Sequence, residues 1–335
     1  MIYLSTLRPG VGRAERRGGG AWKTEVVAGG LDVRCLAVDQ STGTVLAGTH
    51  GDGVHRSDDG GRTFAASGLP GLCVTAVGIS AAEPRRVFAG VKPAAVYRSD
   101  DGGRVWRRLV GFERVKRFFW FSPAERPFSA YVQAIVVSER HPEIVMAGIE
   151  SGAVVRSTDG GETWHGHGRG AMRDCHSLAT AAGRFFEGGY GGGAMSEDGA
   201  VWRRPAGLDR KYGWAVAAVA DGETWFLSSS HGVEAHSDHA DAAIWRCRGG
   251  GPWKRLAGGL PQPMNSMPYS LISGPEPGRL DVGFSDGTVW QSRDGGDTWA
   301  PLPFRLPRVD RALARLDGRV RSEISGGAAS FGHIA

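Results

Sequence analysis

The stretch SDDGGRTF at 57–64 returns as SDDGGRVW at 99–106, STDGGETW at 157–164 and SRDGGDTW at 292–299, with a shortened form, SEDGAVW, at 196–202. Its spacing is that of no catalytic motif, and its recurrence marks a structural repeat. Around it a longer unit is shared: VRCLAVDQSTGTVLAGTHGDGVHRSDDGGRTF at 33–64, VTAVGISAAEPRRVFAGVKPAAVYRSDDGGRVW at 74–106 and VQAIVVSERHPEIVMAGIESGAVVRSTDGGETW at 132–164. Each unit holds three short apolar or alternating runs broken by Gly, Pro and Asp, then the repeated sentence, then a run that begins at the aromatic. Short period-two runs between turn residues are strands. Four strands in a unit of roughly 40 residues make a propeller blade.

Weaker copies cover 175–202, 214–253 and 269–299, which brings the complete units to six. The N-terminal IYLSTLRPGVGRAERRGGGAWKTEV has the last three strands of a blade, and VDRALARLDG at 309–318 has a lone first strand. Pairing of these ends would remove the exposed sheet edges of an open ring. The expected fold is therefore all-β: a seven-bladed β-propeller of four-stranded blades, one domain over 1–335. Six blades is the competitor if the terminal strands do not pair. Two insertions exceed the blade pattern, 111–130 and 229–242, and the tail beyond about 318 is expected to be disordered.

Composition agrees. The chain has 53 Gly, 11 Trp and 41% hydrophobic residues in 335, which suits a turn-rich β protein with a substantial core. The N-terminus lacks a charged-then-apolar signal layout, so a cytoplasmic location is expected. No apolar run is long enough for a spanning helix. Cys35, Cys73, Cys175 and Cys247 are widely spaced, as free thiols would be rather than a disulfide or zinc framework. The net charge of +5 and pI of 9.2 come from scattered arginines, with no basic stripe to suggest nucleic acid.

The repeated S-x-D-x-G-x-T-W sentence resembles the Asp-box of the bacterial-neuraminidase (BNR) repeat family, found in sialidases, sortilin-type receptors, xyloglucanases and photosystem assembly factors. The resemblance implies that the box is the turn between a blade's third and fourth strands, on the face opposite the ligand-binding mouth. The structural set is then Ser57, Asp59 and Gly61; Ser99, Asp101, Gly103 and Trp106; Ser157, Asp159, Gly161 and Trp164; Ser196, Asp198 and Trp202; Ser292, Asp294, Gly296 and Trp299. Their carboxylates can accept turn N–H groups, their glycines permit positive φ, and their tryptophans can pack between blades.

Function is then expected on the other face, in second-to-third-strand loops and blade links. Candidate catalytic groups there are Glu150, His176, Tyr131 and Asp286. Candidate ligand-binding groups are Arg8, Arg34, His50, Lys92, Tyr190, Trp214 and Tyr269, with Gln133, Arg173, Asp174 and Tyr212 nearby in the same links. His231, His236 and His239 in the second insertion are candidate ligands for a divalent metal; no other cofactor is implied. Phe118, Phe119, Trp120 and Phe121 in the first insertion would form a lid, a partner patch or a plug.

Two readings follow. One is a binding or assembly platform for a small molecule, carbohydrate or protein. The other is a glycosidase-like hydrolase or a lyase with an acid/base or metal-assisted site at the mouth. Sialidase-like chemistry would need an arginine cluster, a Tyr–Glu pair and an Asp acid/base. Arg8, Arg34, Arg173, Tyr131 or Tyr269 and Glu150 supply loose candidates, but no FRIP-like segment occurs and no sialidase site is carried over. An enzyme would gather an acid/base set in one cavity, whereas a platform would present a broad patch.

Overall fold

A computed structural model describes residues 1–116, 120–122, 126–274 and 276–317. Seven antiparallel sheets follow one another around a ring. Their innermost strands are Leu313–Leu316 (blade 1), Val33–Val38 (blade 2), Cys73–Ile79 (blade 3), Val132–Val137 (blade 4), Cys175–Ala181 (blade 5), Tyr212–Ala218 (blade 6) and Pro268–Ser273 (blade 7). Consecutive innermost strands touch all the way round, blade 7 to blade 1 and blade 1 to blade 2 included. Closure is by pairing of the chain ends: Ile2–Leu7 lies antiparallel to Leu313–Leu316, with Ile2 opposite Leu316 and Ser5 opposite Leu313. Five sheets have four strands. Blades 4 and 5 have three, and their outer edge is reduced to single bridges, Arg156 to His165 and Met195 to Arg203. Among the described residues no helix is long and apolar enough to cross a membrane. All four cysteines are free thiols.

The box turns of blades 2, 3, 4 and 7 share one serine–aspartate–glycine bonding pattern, and the shortened box of blade 5 closes one residue earlier. In blade 4, Ser157 Oγ donates to Asp159 Oδ1 at 2.8 Å and accepts Gly161 N–H at 2.8 Å. Asp159 also accepts the N–H and hydroxyl of Thr163, at 2.9 and 2.6 Å. Trp164 Nε1 donates back to the Gly161 carbonyl at 2.9 Å. Gly61, Gly103, Gly161 and Gly296 take positive φ, and a Cβ on Gly161 would lie 2.5 Å from Leu109 of blade 3. Each box is thus also a contact with the blade before it. Burial raises the Asp59 carboxyl, but bonds from Thr63, Ser57 and Arg62 outweigh it and bring the pKa down to about 2. Asp159→Ala is expected to cost about 1–2 kcal/mol of stability through the lost turn bonds, read as a lower denaturation midpoint. An unchanged midpoint would remove the box from the stability of the blade.

The arginines that raise the pI have structural partners. Third-strand arginines reach the box carbonyl of the next blade: Arg13 to Gly60 at 3.2 Å, Arg98 to Gly160 at 2.9 Å, Arg156 to Asp198 at 2.7 Å and Arg246 to Gly295 at 2.7 Å. Arg56 does the same to Gly102. They staple the ring on the box face, which gives the positive charge a use other than binding a polyanion.

On the opposite face, the start of the innermost strands carries a recurring irregularity. Pairing with the second strand skips one residue at Arg34, Thr75, Gln133, His176 and Tyr269, and two at Trp214 and Ala215. A bulge re-aims the skipped side chain. Here it turns those residues toward the axis, where they line a cavity of 230 Å³ together with Arg311, which precedes the blade 1 strand. Close blade packing behind them requires glycine on the second strand. A Cβ on Gly148 would lie 2.3 Å from Cys175 Sγ of the next blade.

Candidate functional site

The site stands where blades 4 and 5 meet the axis. Glu150 leaves the end of the second strand of blade 4 (Val145–Ile149), Asp174 ends the link to blade 5, and His176 is the bulged residue of the blade 5 innermost strand. One donor atom from each lies within 4.8 Å of the others; among the described residues this is the only such group of three His, Cys, Asp or Glu side chains. His176 is 5% exposed. Its Nδ1 sits 2.6 Å from the Gly213 carbonyl, which can only accept, so Nδ1 carries a proton and Nε2 faces Asp174 Oδ2 at 3.6 Å. The Ser151 N–H holds the other Asp174 oxygen at 3.0 Å.

The environments push these groups apart. Burial raises the Glu150 carboxyl, helped by the Asp174 charge and opposed by His176 and Arg311. Burial also works against charge on Asp174 and His176, but their mutual attraction wins, lowering the first and raising the second. Tyr131 is raised chiefly by burial, and its hydroxyl interacts with both Glu150 and Arg311. Lys92 is buried, with its ammonium 5.8 Å from the Tyr131 ring centre.

Aromatic rings continue the site toward blades 6 and 7. Trp214 lies against His176, centroids 4.7 Å apart, and edge-on to Tyr269 at 5.4 Å. Tyr190 is exposed at the rim, 6.3 Å from Tyr212. His236 is held between two hydroxyls, Tyr212 at 3.0 Å and Tyr269 at 2.8 Å. Above them opens a mouth cavity of 430 Å³ lined by Arg8, Trp214, His236, Tyr269, Arg308, Asp310 and Arg311. It shares Trp214, Tyr269 and Arg311 with the axial cavity.

Of the candidates read from the sequence, Glu150, His176 and Tyr131 come together, with Lys92 beside Tyr131 and with Tyr190, Trp214, Tyr269 and His236 on the aromatic side. Arg8 of blade 1 and Arg34 of blade 2 both pair with Asp32, at 3.2 and 3.1 Å, Arg8 lining the mouth and Arg34 the axial cavity. His50 is exposed next to them, its N–H on the Asp32 carbonyl at 2.9 Å. Asp286 closes its own turn instead, accepting from Thr288 N–H and Oγ1 at 3.0 and 2.7 Å. His231 pairs with Asp241 at 3.1 Å and His239 is exposed, so the three histidines of the insertion do not share a ligand position. In the first insertion Phe112 and Trp120 pack into the core against Trp164 and Gly152, while Phe121 and Phe128 are half exposed. Phe118 and Phe119 lie outside the described residues.

Four contributors escaped the sequence reading, Asp32, Arg308, Asp310 and Arg311. Arg311 sits just ahead of the closing strand. Its signal was available: it occupies the axial position that the bulged residues hold in the other blades. Chemically, the assembled set can exchange protons with a ligand in the mouth or hold a cation beside it.

Comparison with known proteins agrees with this architecture. Residues 155–165 match the family model of the BNR/Asp-box repeat. No curated protein sequence matches the chain. Among solved structures, a GH74 enzyme of Niastella koreensis superposes with a TM-score of 0.61 at 15% identity, over 82% of this chain and 46% of that one. The chain thus spans under half the length of that enzyme. YCF48 bound to D1 peptide superposes with a TM-score of 0.59 at 14% identity, over 86% of each chain. The WD40 repeats of RRP9 give a TM-score of 0.58 at 13% identity, over 90% of this chain and 85% of that one. At such identities the likeness is one of fold, and fold is what repeat, topology and closure establish together: the chain is a seven-bladed β-propeller that carries a match to the BNR/Asp-box repeat at residues 155–165.

Proposed function

We propose that the protein acts on a small polar ligand held in the mouth on the face away from the Asp-boxes, as a hydrolase or lyase. Its reacting centre would be Glu150, Asp174 and His176, with Tyr131 beside them. One observation carries this reading: an ionisable set drawn from two blades and the link between them converges at the wall of the axial cavity, which His176 lines and which shares Trp214, Tyr269 and Arg311 with the mouth cavity. A platform would not require three such groups to be gathered and partly buried. Trp214 and Tyr269 offer faces for a sugar ring or another planar ligand.

The test is a turnover screen of the full chain on chromogenic glycosides and uronate-containing oligosaccharides. Glu150→Gln and His176→Ala are expected to lower turnover by at least 100-fold while each variant still unfolds cooperatively. Turnover intact in both would sink the assignment. The platform reading retains one specific support, the half-exposed Phe121 and Phe128 on the first insertion. It would gain if the screen found no substrate and a Phe121→Ser, Phe128→Ser variant lost a protein partner that Glu150→Gln kept.

A further inference from the structure

We infer that Glu150, Asp174 and His176 bind a first-row divalent cation, of the zinc or manganese kind, with open coordination positions toward the axial cavity that His176 lines. This deepens the reading above by naming what the reacting centre holds, and its test needs no substrate. Donors around such an ion at about 2.0–2.2 Å stand roughly 3–4 Å apart. The His176 Nε2 to Asp174 Oδ2 separation of 3.6 Å already has that size, and the whole set falls within 4.8 Å, a small side-chain adjustment away.

The surroundings prepare the ligands as the neighbours of a metal site do. The Gly213 carbonyl occupies the Nδ1–H of His176, so that Nε2, whose proton a cation would displace, is the nitrogen left for the ion on a side chain that is 5% exposed. That nitrogen lies 3.6 Å from Asp174 Oδ2, with the Glu150 carboxylate inside the same 4.8 Å group. The Ser151 N–H takes one Asp174 oxygen and leaves the other toward the set. Two carboxylates crowded together half-buried repel one another, and a dication would neutralise both. One imidazole and two carboxylates leave the coordination shell incomplete. That is the pattern of sites where the ion also meets a ligand, in contrast to closed structural sites. The cationic neighbours, Arg311 and Lys92, both meet Tyr131.

The full chain, stripped with a chelator and dialysed, would be titrated with Zn²⁺ by calorimetry and analysed for metal by mass spectrometry. One Zn²⁺ per chain is expected. Co²⁺ in its place should show the visible absorption of a low-coordinate site. His176→Ala and Glu150→Gln should weaken Zn²⁺ at least 10-fold, while His231→Ala and His239→Ala should bind as the parent does. Should His176→Ala fail to fold, Glu150→Gln and Asp174→Asn, which keep side-chain size, give the reading. No stoichiometric uptake by the parent, or uptake that survives both carboxylate changes, overturns the inference. So does uptake lost only in the His231 and His239 variants. Zn²⁺ uptake by the set without turnover in any screen supports the cation and defeats the enzyme reading. Undiminished turnover in the chelator-stripped protein defeats the cation and leaves the enzyme reading standing.

Discussion

Asp281→Ala is expected to destabilise the protein by about 3–5 kcal/mol, the usual cost of removing one partner from a buried ion pair. Asp281 lies on the second strand of blade 7 and is fully buried. Its carboxylate meets Arg315 of the closing strand and Arg279 at 3.6 Å, and it accepts from Gln291 at 2.8 Å. Arg279 continues to the Tyr3 hydroxyl of blade 1 at 3.3 Å. Removing the carboxylate takes away the fully buried anion at the seam where the ring closes and leaves two nearly buried guanidiniums to the more exposed Asp317, which both meet, and to Glu276 beside Arg279. Chemical denaturation should show the loss, and limited proteolysis should begin in the 306–317 segment as the closing strand detaches. Adding Arg315→Met to Asp281→Ala should recover part of the stability, because one stranded charge is gone. A loss below about 1 kcal/mol would show that pairing of the terminal strands alone holds the seam.

Glu187→Gln is expected to stabilise the protein at alkaline pH. Glu187 is fully buried on the second strand of blade 5 (Arg184–Gly189), where both carboxyl oxygens face the Met172 N–H at 3.1 and 3.0 Å. Burial pushes its pKa up to about 8, against the Met172 bond and the positive field of Arg204. In the unfolded chain the group releases its proton near pH 4.5, whereas the folded protein keeps it to about pH 8. Between those limits the native state binds more protons, so its stability falls as pH rises and the loss is complete above about pH 8. At about 1.36 kcal/mol per pKa unit the full loss is up to about 5 kcal/mol. An amide in this position keeps an acceptor for Met172 and cannot ionise. The variant and the parent should therefore unfold alike at pH 4 and diverge progressively to pH 8. Parallel stability curves across that range would mean that Glu187 is not the group responsible.

The two expectations differ in how far the sequence could have foreseen them. The seam was legible: an N-terminal stretch with three strands and a tail with one imply their own pairing, and Leu313–Leu316 does join Ile2–Leu7. The repeated box likewise announced a turn and its glycines, because a local motif is built from neighbours in the chain, while its face followed from the resemblance to the Asp-box family. Asp281 and Glu187 carry no such mark. Their consequence depends on burial and on partners far along the sequence, Arg315 and Met172, and neither pairing follows from local spacing.

The candidate site divides along the same line. Loop position alone put Glu150, His176, Tyr131, Lys92, Tyr190, Trp214 and Tyr269 on the mouth face, since strand order assigns each loop to one side of the ring. It could not separate Asp286, which spends its carboxylate on its own turn, from Glu150, which meets Tyr131 and the His176 blade. It also treated the insertion histidines as one group, whereas only His236 turns inward, because Tyr212 and Tyr269 of two successive blades offer it hydroxyls. By itself the sequence determined the repeat, and it set seven blades closed by the chain ends against six if those ends did not pair. These rest on periodic patterns and short-range turn chemistry. Only the tertiary structure decided which side chains converge, because the bulges that aim Arg34, His176 and Tyr269 at the axis arise from the pairing of strands around a closed ring.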